Sequence, residues 1–148
     1  MTDTKKDNNA GYELENQIGH LLRRAYQRHT SIFQGTIPDE HLTTVQFAVL
    51  VTIHDEGEGS LMHIGRLTAI DHATLRGITS RLKQRGLIRI RSNPDDGRER
   101  LLSLLPAGEE MVRQYIPAAQ RISELTLAPL NECEQVAALH VLHKLANG

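Results

Sequence analysis

Tryptophan is absent from this 148-residue chain, and its only other aromatics are three Tyr and two Phe, so Leu, Ile, Val and Ala must build the core. A single cysteine, Cys133, excludes an internal disulfide and fits a reducing compartment. Long apolar runs are missing as well. The most apolar stretch, FAVLVTI at 47–53, is far too short to span a bilayer. The opening MTDTKKDNNAG is polar throughout and reads as a disordered tail over 1–11 rather than a secretory leader. There is no glycine-rich phosphate loop and no nucleophile motif, and the carboxylates fall in tails, turns and one hairpin, which argues against an enzyme. What is left is a cytoplasmic chain with one domain over 12–148, long enough to bury a core without staples.

Net charge is close to zero, but positive charge is concentrated in one place. The total is −1, yet between His72 and Arg100 eight Lys or Arg face three acids, a local +5 that leaves −6 for the remainder. Such segregation is expected where one region meets a polyanion; a solvated basic face is the plainer alternative. The densest knot is NPDDGRER, in which Asp95, Asp96, Arg98, Glu99 and Arg100 surround Gly97 between two strand-like runs, LIRIRS and LLSLL. That pattern describes a hairpin with arginines at its tip.

Apolar spacing lays out the rest. Residues 12–35 place Ile18, Leu22, Ala25, His29, Ile32 and Phe33 on one helical stripe, with Leu21 beside it. A second helix opens at LTTVQFAVLVTI, with Thr43 as cap and Leu42 as staple, and stops in HDEGEGS. Ser60 caps LMHIGRLTAI, and Asp71 caps HATLRGITSRLKQR, whose inward stripe is Leu75, Ile78, Thr79 and Leu82. Gly86 followed by Leu87 is a helix stop. After the hairpin come two more helices, with Pro117 expected as a kink and Pro129 as a break. The order predicts a mainly α protein with a small β-hairpin wing, a winged helix-turn-helix lobe over 42–105. The helices at 12–35 and 106–147 carry broader apolar faces than so small a core needs, and dimerisation is their natural use.

The runs LTTVQFAVL, IGRLTAIDHATLRGITSRLKQRGLI and NPDDGRERLLSLLPAG resemble the MarR family of bacterial transcriptional regulators, in detail over 42–108 and by helix pattern from 12 to 147. The resemblance implies a homodimer on a pseudo-palindromic operator, each recognition helix in a major groove and each wing at the neighbouring minor groove. It implies repression, released by a small aromatic carboxylate or a phenol. The family's wing carries an Asp-x-Arg pattern, matched by Asp96 and Arg98. Arg98 is therefore expected in the minor groove, with Asp96 holding its guanidinium, Gly97 turning the tip and Arg100 on phosphate.

On the recognition helix, Ala73, Gly77 and Ser80 are small enough to let the backbone approach the bases, and Arg76 suits a bidentate contact to guanine. His72 and Thr74 are further base or phosphate candidates, and Arg81 and Lys83 suit backbone positioning. Two departures stand out. Many relatives have Thr then Arg where this chain has Arg76 then Gly77, and Pro106 replaces the Thr that begins the next helix. Proline is at home in a first turn.

His29, on the apolar stripe, is either a satisfied core histidine or a donor in a pocket between the dimer helices and the DNA-binding lobe, where the resemblance places effectors. Phe33 would wall such a pocket, and His63 and Arg66 on the short helix would supply charge for a planar aromatic acid. ENQIGHLLRRAYQRHTSIFQ is similar to the first helix of members tied to degradation of aromatic or pyridine acids, such as nicotinate-pathway repressors. His140 and His143 stand three apart on the last helix, but zinc-sensing members take their paired histidines from the preceding long helix, which has none here. No metal or cofactor is expected, and Cys133 lies far from the first-helix cysteine of peroxide sensors. A winged-helix protein–protein adaptor and a metal-responsive regulator are the alternatives. The adaptor would lack the basic patch and the wing arginine.

Overall fold

A computed structural model describes residues 10–148; most of the expected 1–11 tail lies outside the described residues. A 3-10 turn at Leu14–Asn16 leads into α1 (Ile18–Thr36), so the first helix begins later than the apolar spacing predicts, after an extended Gln17. Then come α2 (Thr44–Glu56), β1 (Glu58–Ser60), α3 (Leu61–Thr68), α4 (His72–Gln84), β2 (Ile88–Ser92), β3 (Arg100–Leu104), α5 (Pro106–Leu127) and α6 (Glu132–Asn147). No helix among the described residues is long and apolar enough to cross a membrane.

Local chemistry starts and stops these helices where expected. The Thr43 hydroxyl accepts the Gln46 N–H while the Gln46 side chain accepts the Thr43 N–H, a reciprocal capping box. The Ser60 hydroxyl caps α3 through the His63 N–H at 3.1 Å. At the end of α4, Gly86 sits at φ +73°, its N–H bonds the Lys83 carbonyl, and the Leu87 N–H bonds the Leu82 carbonyl. That double closure needs a left-handed residue, which glycine supplies without strain. Leu87 is then buried beside it. α5 opens with Pro106 in its first turn and runs through Pro117 to Leu127, two residues short of Pro129.

β1 was not anticipated. It reads as a glycine-broken helix stop, yet it pairs antiparallel with β3 (Glu58 opposite Ser103, Ser60 opposite Leu101), making a three-stranded sheet in the order β1-β3-β2. β2 and β3 form the hairpin, with Ile90 opposite Leu102 and Ser92 opposite Arg100.

The core sits around α2, whose Val49, Leu50 and Ile53 are fully buried against Leu42, Ile64, Leu75, Leu82, Ile88 and Leu102. A helix apolar nearly all round is a central one. The outer helices differ. On α1 only Phe33 is fully buried, while Ile18, Leu21, Leu22 and Tyr26 are exposed. α6 has no buried residue and exposes Val136, Leu139, Val141, Leu142 and Leu145. α1 is tied to α5 by Arg28, whose guanidinium donates to the Thr126 and Leu125 carbonyls at 2.8 and 3.1 Å, satisfying the C-terminal end of that helix.

Candidate nucleic-acid interface

The turn between α3 and α4 is set by Ala69, left-handed at φ 54°, and closed by the Ile70 N–H on the Gly65 carbonyl at 3.2 Å. Gly65 lets the two helices touch: a Cβ there would stand 3.3 Å from Leu75. Asp71 then caps α4. Its carboxylate accepts the Thr74 hydroxyl at 2.6 Å and the Thr74 N–H at 2.9 Å, and these bonds, the hydroxyl first, hold it below the usual carboxylate range. The Thr74 hydroxyl hydrogen is therefore committed to the cap. Leu75, Ile78, Thr79 and Leu82 are buried as predicted, which turns His72, Ala73, Arg76, Gly77, Ser80, Arg81 and Lys83 outward. Among the described residues nothing lies within 4 Å of where a Gly77 side chain would begin, so that stretch of backbone is open to an approaching partner.

The wing tip corrects two expectations. Asp96 does not hold the Arg98 guanidinium; its carboxylate accepts the Arg98 backbone N–H at 3.1 Å, while its carbonyl accepts the Glu99 N–H at 3.0 Å. A short aspartate reaches the turn's own amide more readily than the end of a long neighbouring side chain. Gly97 is not in a left-handed conformation, so the turn does not depend on it. Asn93 closes the base of the tip, donating its amide to Glu99 at 2.6 Å. Arg98 is left exposed, with no ion-pair partner among the described residues.

Recognition helix and wing converge on one cleft of about 610 Å³, lined by Leu61, Met62, His72, Arg76, Asp96, Arg98, Glu99 and Arg100. A smaller hollow of about 220 Å³ continues along α4 past Ser80 and Lys83. Arg100 donates to the Ser92 hydroxyl at 2.8 Å, which steadies the side chain, and it has no ion-pair partner among the described residues. Leu61 and Met62 were missed from the sequence because apolar residues at a helix start read as core.

Not every cation of the basic segment faces outward. Arg85 pairs with Asp39 at 2.5 Å, and Arg91 pairs with Glu58 through two bonds of 3.0 and 2.7 Å, tying β2 to β1 across the sheet. Burial raises the Asp39 pKa, but the Arg85 bond, the His41 N–H and the nearby positive charges outweigh it, and the net shift is downward. The Arg91 bond holds Glu58 low in the same way. Arg76, Arg81, Lys83 and Arg98 have no such partner among the described residues.

A second cleft, of about 180 Å³, lies between α1, α2 and α5, lined by His29, Phe33, Thr44, Phe47, Ala48, Ala119, Ile122 and Ser123. It unites two of the four residues expected around an effector. The other two are elsewhere: His63 pairs with Glu56 of α2 at 2.9 Å, and Arg66 is exposed near the end of α3. Thr126 donates its hydroxyl to the Ile122 carbonyl at 2.8 Å, so the 2.9 Å bond between His29 Nδ1 and Thr126 must be donated by the imidazole. Neutral His29 then carries its lone pair on Nε2, an acceptor. His140 and His143 are both exposed on α6.

A convex helix with small exposed residues, set beside an arginine-bearing hairpin, is built to straddle the edge of a grooved polyanion, and the lobe is a winged helix-turn-helix of the DNA-binding class. The MarR family model matches residues 42–99, and the chain belongs to that family of transcriptional regulators. It is 43% identical over 137 residues to the HTH-type transcriptional repressor NicR of Pseudomonas putida, covering 93% of this chain and 87% of that one. Among solved structures it is similar to BpsR of Bordetella bronchiseptica, whose DNA binding is regulated by 6-hydroxynicotinic acid, at 44% identity and TM-score 0.87 over 93% of this chain and 98% of that one. PcaV of Streptomyces coelicolor, in complex with its natural ligand, matches at 30% identity and TM-score 0.87 over 94% and 98%.

Proposed function

We propose that this regulator is a cytoplasmic homodimeric repressor that grips a pseudo-palindromic operator and releases it when a small hydroxylated aromatic or pyridine carboxylate binds. The observation that carries the DNA reading is the cleft where Arg76, Arg98 and Arg100 meet beside Asp96 and Glu99, none of the three arginines having an ion-pair partner among the described residues. In this reading Arg76 reads guanine from α4, Arg98 enters the minor groove from the wing, and Arg100, Arg81 and Lys83 hold phosphates. The exposed apolar faces of α1 and α6 support the dimer. Two α4 helices in successive major grooves must then stand roughly 34–36 Å apart.

The His29 cleft supports the effector. It is mostly apolar, of a size for a single ring, and its Nε2 acceptor suits a ring hydroxyl. It lies where α1 and α5 meet α2 of the DNA-binding lobe, so an occupant there can alter how far apart the two lobes stand. A coupling of about 1–3 kcal/mol would weaken operator binding roughly 5- to 150-fold.

Capture of genomic fragments by the purified protein, with and without 6-hydroxynicotinic acid, tests both halves. An enriched inverted repeat that is released by the acid supports the proposal. A repeat that no hydroxylated aromatic or pyridine acid releases overturns the effector half. No enrichment at low salt overturns the DNA half and favours a protein–protein adaptor.

A further inference from the structure

The cationic cleft has one wall of a different chemistry. α3 buries Ile64 completely and packs Leu61 against the core, which turns Met62 away from it. Met62 is 69% exposed and stands in the same cleft as Arg76, Arg98 and Arg100. An isolated exposed apolar residue needs no explanation, but this one shares a groove with Asp96, Glu99 and three arginines that have no ion-pair partner among the described residues. A polyanion drawn into that groove is pressed against the thioether chain as well.

Duplex DNA offers two kinds of apolar surface, the thymine methyl group and the carbon face of deoxyribose. Methionine is unbranched and polarisable, so it can mould to either. Resting on the DNA-binding reading above, we propose that Met62 is a further DNA contact of this regulator, packing on the apolar carbon surface of the operator while the arginines beside it take phosphates and base edges. A thymine methyl would make it read sequence; a sugar face would make it position the lobe. The contact is desolvation rather than charge. Its loss therefore weakens binding without altering how binding depends on salt, unlike loss of a neighbouring arginine.

The test titrates the captured inverted repeat, by fluorescence anisotropy at several salt concentrations, with the full chain and with Met62→Ala, Met62→Gln and Met62→Leu. Because Met62 is exposed, all three variants are expected to unfold at the wild-type temperature. Met62→Ala and Met62→Gln are expected to bind about 5- to 30-fold more weakly with an unchanged salt slope, and Met62→Leu to stay near wild type. Replacing operator thymines one at a time by deoxyuridine separates the two sources. A loss of about fourfold at one thymine, absent in Met62→Ala, assigns the methyl group; a Met62→Ala loss that every deoxyuridine duplex shares assigns the sugar. Equal affinity of wild type and Met62→Ala, or a changed salt slope, overturns the inference while leaving the DNA reading intact. Failure of the wild type to bind any repeat overturns both.

Discussion

Gly77 is the residue at which stability and function pull in opposite directions. It sits mid-helix on the exposed face of α4, where glycine is a poor helix former, and no neighbour occupies the space a side chain would fill. Replacing it by alanine is expected to stabilise the fold by up to about 1 kcal/mol in chemical denaturation. The same methyl group would hold the α4 backbone away from the floor of the groove, so operator affinity is expected to fall. An alanine variant that is both more stable and equally tight on DNA would show that the helix does not approach the bases at this point. Residue-scale chemistry also explains the misread role of Asp96 in the wing. Asp96 and Arg98 are two apart, and the shorter route for the carboxylate runs to the turn's backbone amide rather than to the guanidinium.

At the scale of elements, Gly108 fixes how α5 leaves the DNA-binding lobe. A Cβ at this position would lie 2.2 Å from the Leu87 carbonyl oxygen, a backbone atom that cannot step aside. The same carbonyl accepts the Leu105 N–H at 3.0 Å, so the start of α5 and the end of α4 are held by one group. Gly108→Ala is expected to cost about 1–3 kcal/mol or more in thermal unfolding, in contrast to Gly77→Ala. An unchanged melting temperature would contradict the close approach. Gly108 carries no signal that periodicity can detect, because its partner lies in another element. The contrast with α4 is instructive: Asp71, the Leu75–Leu82 stripe and the Gly86–Leu87 stop all obey rules of a few residues' range, and all were legible. β1 was not, since three residues containing a glycine become a strand only by pairing with β3 some 40 positions away. Half of the cleft proposed for an effector is brought together by the fold for the same reason. His29 and Phe33 share a helix face, whereas His63 and Arg66 were joined to them by chemical suitability alone and stand elsewhere in the chain.

Across the whole molecule, charge and apolar surface are sorted to opposite duties. The near-neutral total hides a basic segment from which Arg85 and Arg91 are withdrawn into internal pairs, and the remaining cations line the recognition helix and wing. Most of the apolar surplus lies on α1 and α6, outside that interface, where a second copy can cover it; Met62 is the exception within it. Under the proposed function, release by an effector needs no change within the lobe itself, only a shift in the distance between two lobes. The central claim is that α4 and the wing jointly hold DNA through charge. Its most direct test is the affinity of wild type and Arg98→Ala for the captured repeat between roughly 50 and 200 mM salt. The prediction is a steep linear fall of log affinity with log salt for the wild type, with Arg98→Ala weaker throughout and its slope shallower by about one. Binding that ignores salt, or an Arg98→Ala line that overlies the wild type, would contradict it.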